Sequence, residues 1–406
     1  MFGVQSDLPS FMINMHRVDS KSDAEAYISR LNGFKKKFSQ VVERLEASAK
    51  IGVIPPKFVF PKVIEDSRNV ISGQPFDESS KLSPLLEDFE KKVKALKVKD
   101  SEKQKLIAEA KEALKTSVGP GYQHLIAYMQ KLEKKADDRA GVWKFPDGEN
   151  YYKNRLKRIT TTDMTPQQIH NLGLKEVTRI HREMKFIMKK VEFKGSFPQF
   201  FEFMKKDPQF FYPDSQEGRA AYLKNTEKLI AEMKKQLPTF FTTVPKADLV
   251  VKPVEAYREK SAGTAFYQGP PLVGDRPGIY YVNLYDIKTV SKFEMEALAY
   301  HEALPGHHMQ ISLAKEQEDL PKFRRFGGFT AYVEGWGLYA EYLPKEYGFY
   351  QDPYSDFGRL SMELWRACRL VVDTGLHYKK WTRERAIAYL DKNTPIPHAD
   401  NVKAIE

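Results

Sequence analysis

Apolar residues recur at three- and four-residue steps over most of this chain, and one stretch departs from that rhythm. Between residues 23 and 46, Ala24, Tyr27, Ile28, Leu31, Phe34, Phe38, Val41, Val42 and Leu45 line one face of a predicted helix. Residues 83–97, 101–116 and 121–137 continue as charged amphipathic helices, with a break expected at Gly119-Pro120. Thr165-Pro166-Gln167-Gln168 reads as a helix start, with a threonine cap and proline in the first turn. That helix, and another near 174–191, carry the stripe Val177, His181, Met184, Met188 and Val191. On such a stripe His181 reads as a satisfied core histidine rather than a ligand.

The rhythm shortens between residues 248 and 285. Leu249-Val250-Val251, Thr264 to Tyr267 and Gly278 to Leu284 are short β-prone runs. Turns rich in glycine and proline, Gly269-Pro270-Pro271 and Gly274-Asp275-Arg276-Pro277, separate them. A small, mostly antiparallel sheet is therefore expected as an insert at about 245–290. Without an internal repeat or a low-complexity linker, residues 1–406 read as one mainly α, multi-helix domain.

Composition narrows the function classes. An apolar fraction of 41% with 13% aromatics supports a large core. No run of eighteen apolar residues exists, so no transmembrane segment is expected. The first residues, Met1 to Asp7, lack the basic and apolar regions of a secretory signal. The chain is thus expected to be cytoplasmic, or periplasmic or otherwise extracytoplasmic if a leader has been removed. One cysteine, Cys368, excludes an internal disulfide. The net charge of +11 comes from scattered pairs and triplets such as Lys35-Lys36-Lys37, with acidic neighbours, as on solvated helix faces. No zinc-finger spacing or RNA-binding signature accompanies them, so nucleic acid is not an expected partner.

Candidate chemistry concentrates in residues 301–308, His-Glu-Ala-Leu-Pro-Gly-His-His. Ser291-Lys292-Phe293-Glu294 has the form of a capping box that would start a helix into His301. A His-Glu pair with a histidine one turn on places two imidazoles and a general base around one zinc ion. Here Pro305 stands where the second histidine would be. On a regular helix His307 would point about 120° away, and His308 would lie about 10.5 Å along the axis. Proline lacks the N–H that would bond back to residue 301, and glycine tolerates unusual backbone angles. A break at Pro305-Gly306 would let the second imidazole return toward the first.

Two further segments carry polar groups on apolar helices. Phe329 to Leu343 is apolar around nearly its whole circumference, predicting a buried helix, interrupted by Glu334 and Glu341 on one face. A buried carboxylate needs a partner, and a metal ion is one. Gly335 and Gly337, each costing about 1 kcal/mol relative to alanine in a helix, imply close approach by another group. Arg366, Arg369, Asp373 and His377 step along one side of a third helix. Arg369 with Asp373 reads as an ion pair, and His377 as the functional member.

These three motifs resemble, in order, a bacterial family of zinc peptidases (domain of unknown function 885), and the resemblance runs through most of the chain from near Ala24. It implies His301, His307 and Glu334 as zinc ligands and Glu302 as general base. The run from Gln310 to Glu334 is more distantly similar to the helical angiotensin-converting-enzyme-like peptidases, a comparison in which His308 competes with His307. A multi-helix, peptidase-like fold with a deep cleft follows from the resemblance. Family members usually continue past residue 406 with a Pro-Gly-Gln segment and a Tyr-Lys pair, so a fragment lacking a C-terminal segment is expected.

The resulting expectation is a zinc-dependent peptidase acting on a peptide substrate. His377 or a tyrosine would donate to the oxyanion. Asn283 and Arg369 would bind substrate, with the 279–284 strand accepting an extended peptide by strand addition. A metal-dependent hydrolase of a non-peptide amide or ester, and a non-catalytic peptide- or partner-binding protein, are the alternatives.

Overall fold

The computed structural model describes residues 3–254, 259, 262–271 and 276–406. They form two compact units, one of Met1–Gly148 with Glu406 and the other of Glu149–Ile405. Periodicity alone does not announce that boundary, because the helical rhythm runs through it.

The first unit is all helix. Its long helix, Lys21–Lys50, starts on Ser20, whose hydroxyl accepts from the Asp23 N–H while the Asp23 carboxylate accepts from the Ser20 N–H. One face buries Tyr27, Leu31, Phe34 and Phe38 against Phe89 and Tyr122. Ring centroids of Phe38 and Tyr122 are 4.5 Å apart. The break expected at Gly119-Pro120 does not occur. Asp100–Ala113 runs through a π-helical turn, Leu114–Val118, straight into Gly119–Glu133. Pro120 sits in the first turn after the widened segment, where a missing N–H costs little. The glycines serve packing instead: a Cβ on Gly121 would lie 3.0 Å from the Phe38 ring.

The second unit is built on two long helices, Pro166–Lys190 and Pro353–His377, lying along each other. Thr165 and Gln168 form the reciprocal cap, and the helix continues unbroken through residue 174 rather than splitting. Gly173 allows the close approach, since a Cβ there would meet Val371 at 2.8 Å. His181 is satisfied as its stripe implied, donating from Nε2 to the Asn393 carbonyl at 2.8 Å between the rings of Phe197 and Phe201.

The sheet has three strands, β1 (Leu249–Pro253), β2 (Ala265–Gln268) and β3 (Gly278–Val282), in the order β1-β3-β2. It is mixed rather than mostly antiparallel: β2 pairs antiparallel with β3, and β1 pairs parallel with it. The chain passes through β2 between them, and so has the length a parallel crossover needs. Of the two turns expected around the sheet, Gly274 and Asp275 lie outside the described residues. β3 is buried along its whole length and packs Tyr280 and Val282 into one core with Met295, Tyr300 and Leu304.

Met295 and Tyr300 belong to the His-Glu helix, which spans Met295–Glu302 and begins later than the Ser291 box implied, and Leu304 lies just beyond its end. Ser291 and Ser361 instead donate their hydroxyls to the two oxygens of Glu294, at 2.9 and 3.0 Å. That partly buried carboxylate ties the start of the His-Glu helix to the Pro353–His377 helix. The glutamate helix, Thr330–Glu346, is not buried all round: Tyr332 is 66% exposed, and only the side carrying Gly337, Ala340, Glu341 and Leu343 faces the core. No described helix is long and apolar enough to cross a membrane.

Two glycines of opposite environment test this packing. A Cβ on Gly358 would lie 1.8 Å from the Phe293 carbonyl, whereas nothing lies within 4 Å of one on Gly33. Gly358→Ala should cost about 3 kcal/mol, because backbone cannot step aside, and Gly33→Ala should gain about 1 kcal/mol by helix propensity. Thermal and denaturant unfolding of the two variants checks both signs.

Candidate metal centre

The His-Glu helix stops at Glu302, and a second helix, His307–Glu316, starts at His307. Four residues of turn separate them, including a cis Leu304–Pro305 bond. The N–H of His308 closes the turn by donating to the Ala303 carbonyl at 3.2 Å. A complete break, not a kink, therefore returns His307 toward His301. Their rings meet nearly edge to face with centroids 4.5 Å apart.

The glutamate helix supplies the third wall. Glu334 places Oε2 3.6 Å from His301 Nε2 and Oε1 3.8 Å from His307 Nε2. Ligand atoms of His301, His307 and Glu334 all lie within 4.8 Å of one another, the one such group of metal-ligating side chains among the described residues. Zinc at bond lengths of about 2.0–2.1 Å sets tetrahedral ligand atoms about 3.4 Å apart; the two Glu334 contacts are close to that spacing, and small side-chain movements would bring both imidazoles and the carboxylate onto one such ion. Arg325, nine residues before Glu334 in sequence, does not pair with it and donates instead to the Lys315 carbonyl. His308 is turned away. Its Nε2 donates to the Ala247 carbonyl at 3.1 Å, and its Nδ1 accepts from the Tyr267 hydroxyl at 2.9 Å.

Three further groups on the glutamate helix hold this arrangement. A Cβ on Gly337 would sit 2.4 Å from His301 Cε1, so the imidazole lies directly on bare backbone. Gly335 has nothing within 4 Å, and of the two glycines only Gly337 answers to a close approach. Trp336 donates from Nε1 to the Pro305 carbonyl at 2.9 Å, pinning the turn between the histidines. Glu341, with no exposed surface, accepts from His301 Nδ1 at 2.8 Å and from Arg366 at 3.0 Å. That bond fixes the His301 tautomer and aims Nε2 at the cluster. Glu341 stood out in the sequence as a charge in an apolar run, but its role and that of Arg366 did not.

The charges follow from these contacts. Burial pulls the His301 pKa down, but hydrogen bonds to Glu334 and Glu341 outweigh it and raise the value to about 9. Burial and the neighbouring His301 charge lower His307 to about 4. Glu334 is held below the ordinary carboxylate range, first by its hydrogen bond with His301. Glu302, buried beside them, is pushed up to about 7 by desolvation, a rise that His301 opposes and Glu334 reinforces. Glu334 itself is 54% exposed, so the centre opens to solvent on that side.

The remaining candidates fare differently. Asn283 is not available to a substrate: its side-chain amide donates to the Glu259 and Ala262 carbonyls, and its Oδ1 accepts from the Tyr285 N–H. The strand before it, β3, is central and paired on both sides, so it cannot accept an added strand. His377 lies eleven residues beyond Arg366, about 16 Å along the helix. It packs on the Tyr152 ring, 4.0 Å from Asp373, away from the ligand cluster. Asp373 accepts from the Tyr152 hydroxyl at 2.5 Å, while Arg369 lies over the Trp365 ring, 4.1 Å from its centroid. The ion pair expected between Arg369 and Asp373 is therefore replaced by those two contacts.

Comparison with known proteins adds the family context. The model of the family described as "Bacterial protein of unknown function (DUF885)" matches residues 1–406. A crystal structure described as "the putative lipoprotein from Colwellia psychrerythraea" superposes with a TM-score of 0.95 at 35% identity, over 100% of this chain and 69% of that one. A second, described as a "putative lipoprotein of unknown function from Shewanella oneidensis", shares the fold at a TM-score of 0.68 and 19% identity, over 100% and 70% of the two chains. No curated protein matches.

Two expectations test the geometry. Gly337→Ala should weaken zinc binding at least tenfold while Gly335→Ala leaves it unchanged, read by chelator competition (roughly 1.4 kcal/mol per decade). A protonated His301 must release its proton to bind metal, so zinc affinity should climb about tenfold per pH unit from pH 7 and level off near 9. Affinity that stays flat over that range would remove the assigned proton from His301.

Proposed function

The chain belongs to the DUF885 family of bacterial proteins of unknown function, and we propose that it is a zinc-dependent peptidase with His301, His307 and Glu334 as ligands and Glu302 as general base. The observation that carries this reading is the convergence of two imidazoles and one carboxylate from separate helices on a space of zinc's dimensions. A zinc ion held there would supply an electrophile for the scissile carbonyl and acidify an attacking water.

The chain's own residues would do the rest. Glu302 follows a ligand directly in sequence, is buried, and has a proton affinity raised toward neutrality. It is suited to take the water's proton and pass it to the departing amine. Glu341 and Arg366 would hold His301 in one tautomer through the cycle. The exposed edge of Glu334 leaves an approach for an extended chain. The lipoprotein descriptions of the two solved relatives support an extracytoplasmic location.

Glu302→Gln keeps the size of the side chain and removes its basicity. In the variant, zinc content should match wild type while peptide turnover falls by a factor of about 10² or more. A wild-type chain that takes up no zinc and cleaves nothing would instead be a binding protein. Turnover of esters with no cleavage in a mixed peptide library would move the substrate outside peptides.

A further inference from the structure

Arg366 and Arg369 project from the Pro353–His377 helix one turn apart, and they differ in how their charges are met. Arg366 is neutralised by Glu341 and braces His301. Arg369 has no carboxylate partner among the described residues; its guanidinium lies on the face of Trp365, 4.1 Å from the ring centroid. A planar cation stacked on an aromatic ring keeps its N–H edge free for a planar anion while the ring holds its orientation. Arg369 also lies within electrostatic reach of both Arg366 and the ligand Glu334. Two guanidinium charges one turn apart on a helix repel, and an anion that pairs with Arg369 relieves that repulsion.

Building on the peptidase reading, we propose that Arg369 is a specificity-determining residue that pairs with a carboxylate of the substrate. Arg369 stands one helical turn, about 4.5 Å of rise, beyond the arginine that touches His301. One extended residue spans about 3.3 Å, so a carboxylate held there belongs within a few residues of the bond to be cut. Two sources share that chemistry, the C-terminal carboxylate of a peptide and an acidic side chain near the cut. A bidentate guanidinium–carboxylate pair suits either.

Binding to the metal-free full chain tests this without turnover. Three labelled peptides of one neutral sequence serve as probes: a C-terminal acid, its amide, and an amide with one glutamate added near that end. One or both carboxylate-bearing peptides should bind about tenfold tighter than the neutral amide. Which of them does so identifies the source. Arg369→Met should abolish the preference and Arg369→Lys should restore part of it. Lys36→Met, which removes an equal charge from an exposed position in the first unit, should leave it intact. Equal binding of all three peptides, or a preference that survives Arg369→Met, overturns the assignment. Failure of the zinc-loaded protein to cleave any peptide would sink the peptidase reading separately and leave the binding result to judge Arg369.

Discussion

The candidate centre depends on one contact: the imidazole of His301 resting on the bare backbone of Gly337. Only with no side chain at that position can the glutamate helix come close enough for Glu334 to face Nε2 while Glu341 holds Nδ1. The same helix pins the turn between the histidines through Trp336. Four residues within eight positions of one helix thus supply a candidate ligand, a clamp, a clearance and an orienting carboxylate. Losing the clearance would separate the other three from their targets together.

A charged constellation of this kind is held at a cost. His301, Glu302 and Glu341 are all buried, and one oxygen of Glu341 has no hydrogen-bond partner. A proton on His301, favoured by its hydrogen bonds to Glu334 and Glu341, offsets part of the negative charge of the cluster. A metal ion bound between His301 and Glu334 would take that proton's place, which couples any metal binding there to proton release. The packing around it is correspondingly firm: β3 and the His-Glu helix share one core, and the partly buried Glu294 ties that helix to its neighbour.

Much of the helical architecture was legible in the chain, since a three- to four-residue apolar period marks a helix whatever it packs against. Glycine and proline do not always punctuate a helix. Gly119, Pro120 and Gly173 all lie inside continuous helical structure, because their role is close packing or a tolerated first turn. The glutamate helix was expected to be buried from its apolar circumference, yet Tyr332 and Tyr339 are exposed. Apolarity counts what could be buried; only the neighbours present decide what is.

From sequence alone came the residue types, their spacing, and the inference that Pro305-Gly306 must interrupt a helix for two histidines to meet. Those are local matters, governed by backbone chemistry within a few positions. The tertiary structure decided which imidazole faces the cluster, by giving His308 to a backbone carbonyl and a tyrosine and His307 to Glu334. It also removed Asn283 and His377 and gave Glu341 its place. Each of those outcomes turns on contacts between segments twenty or more residues apart, or on distance measured along a folded helix, and no periodicity encodes either.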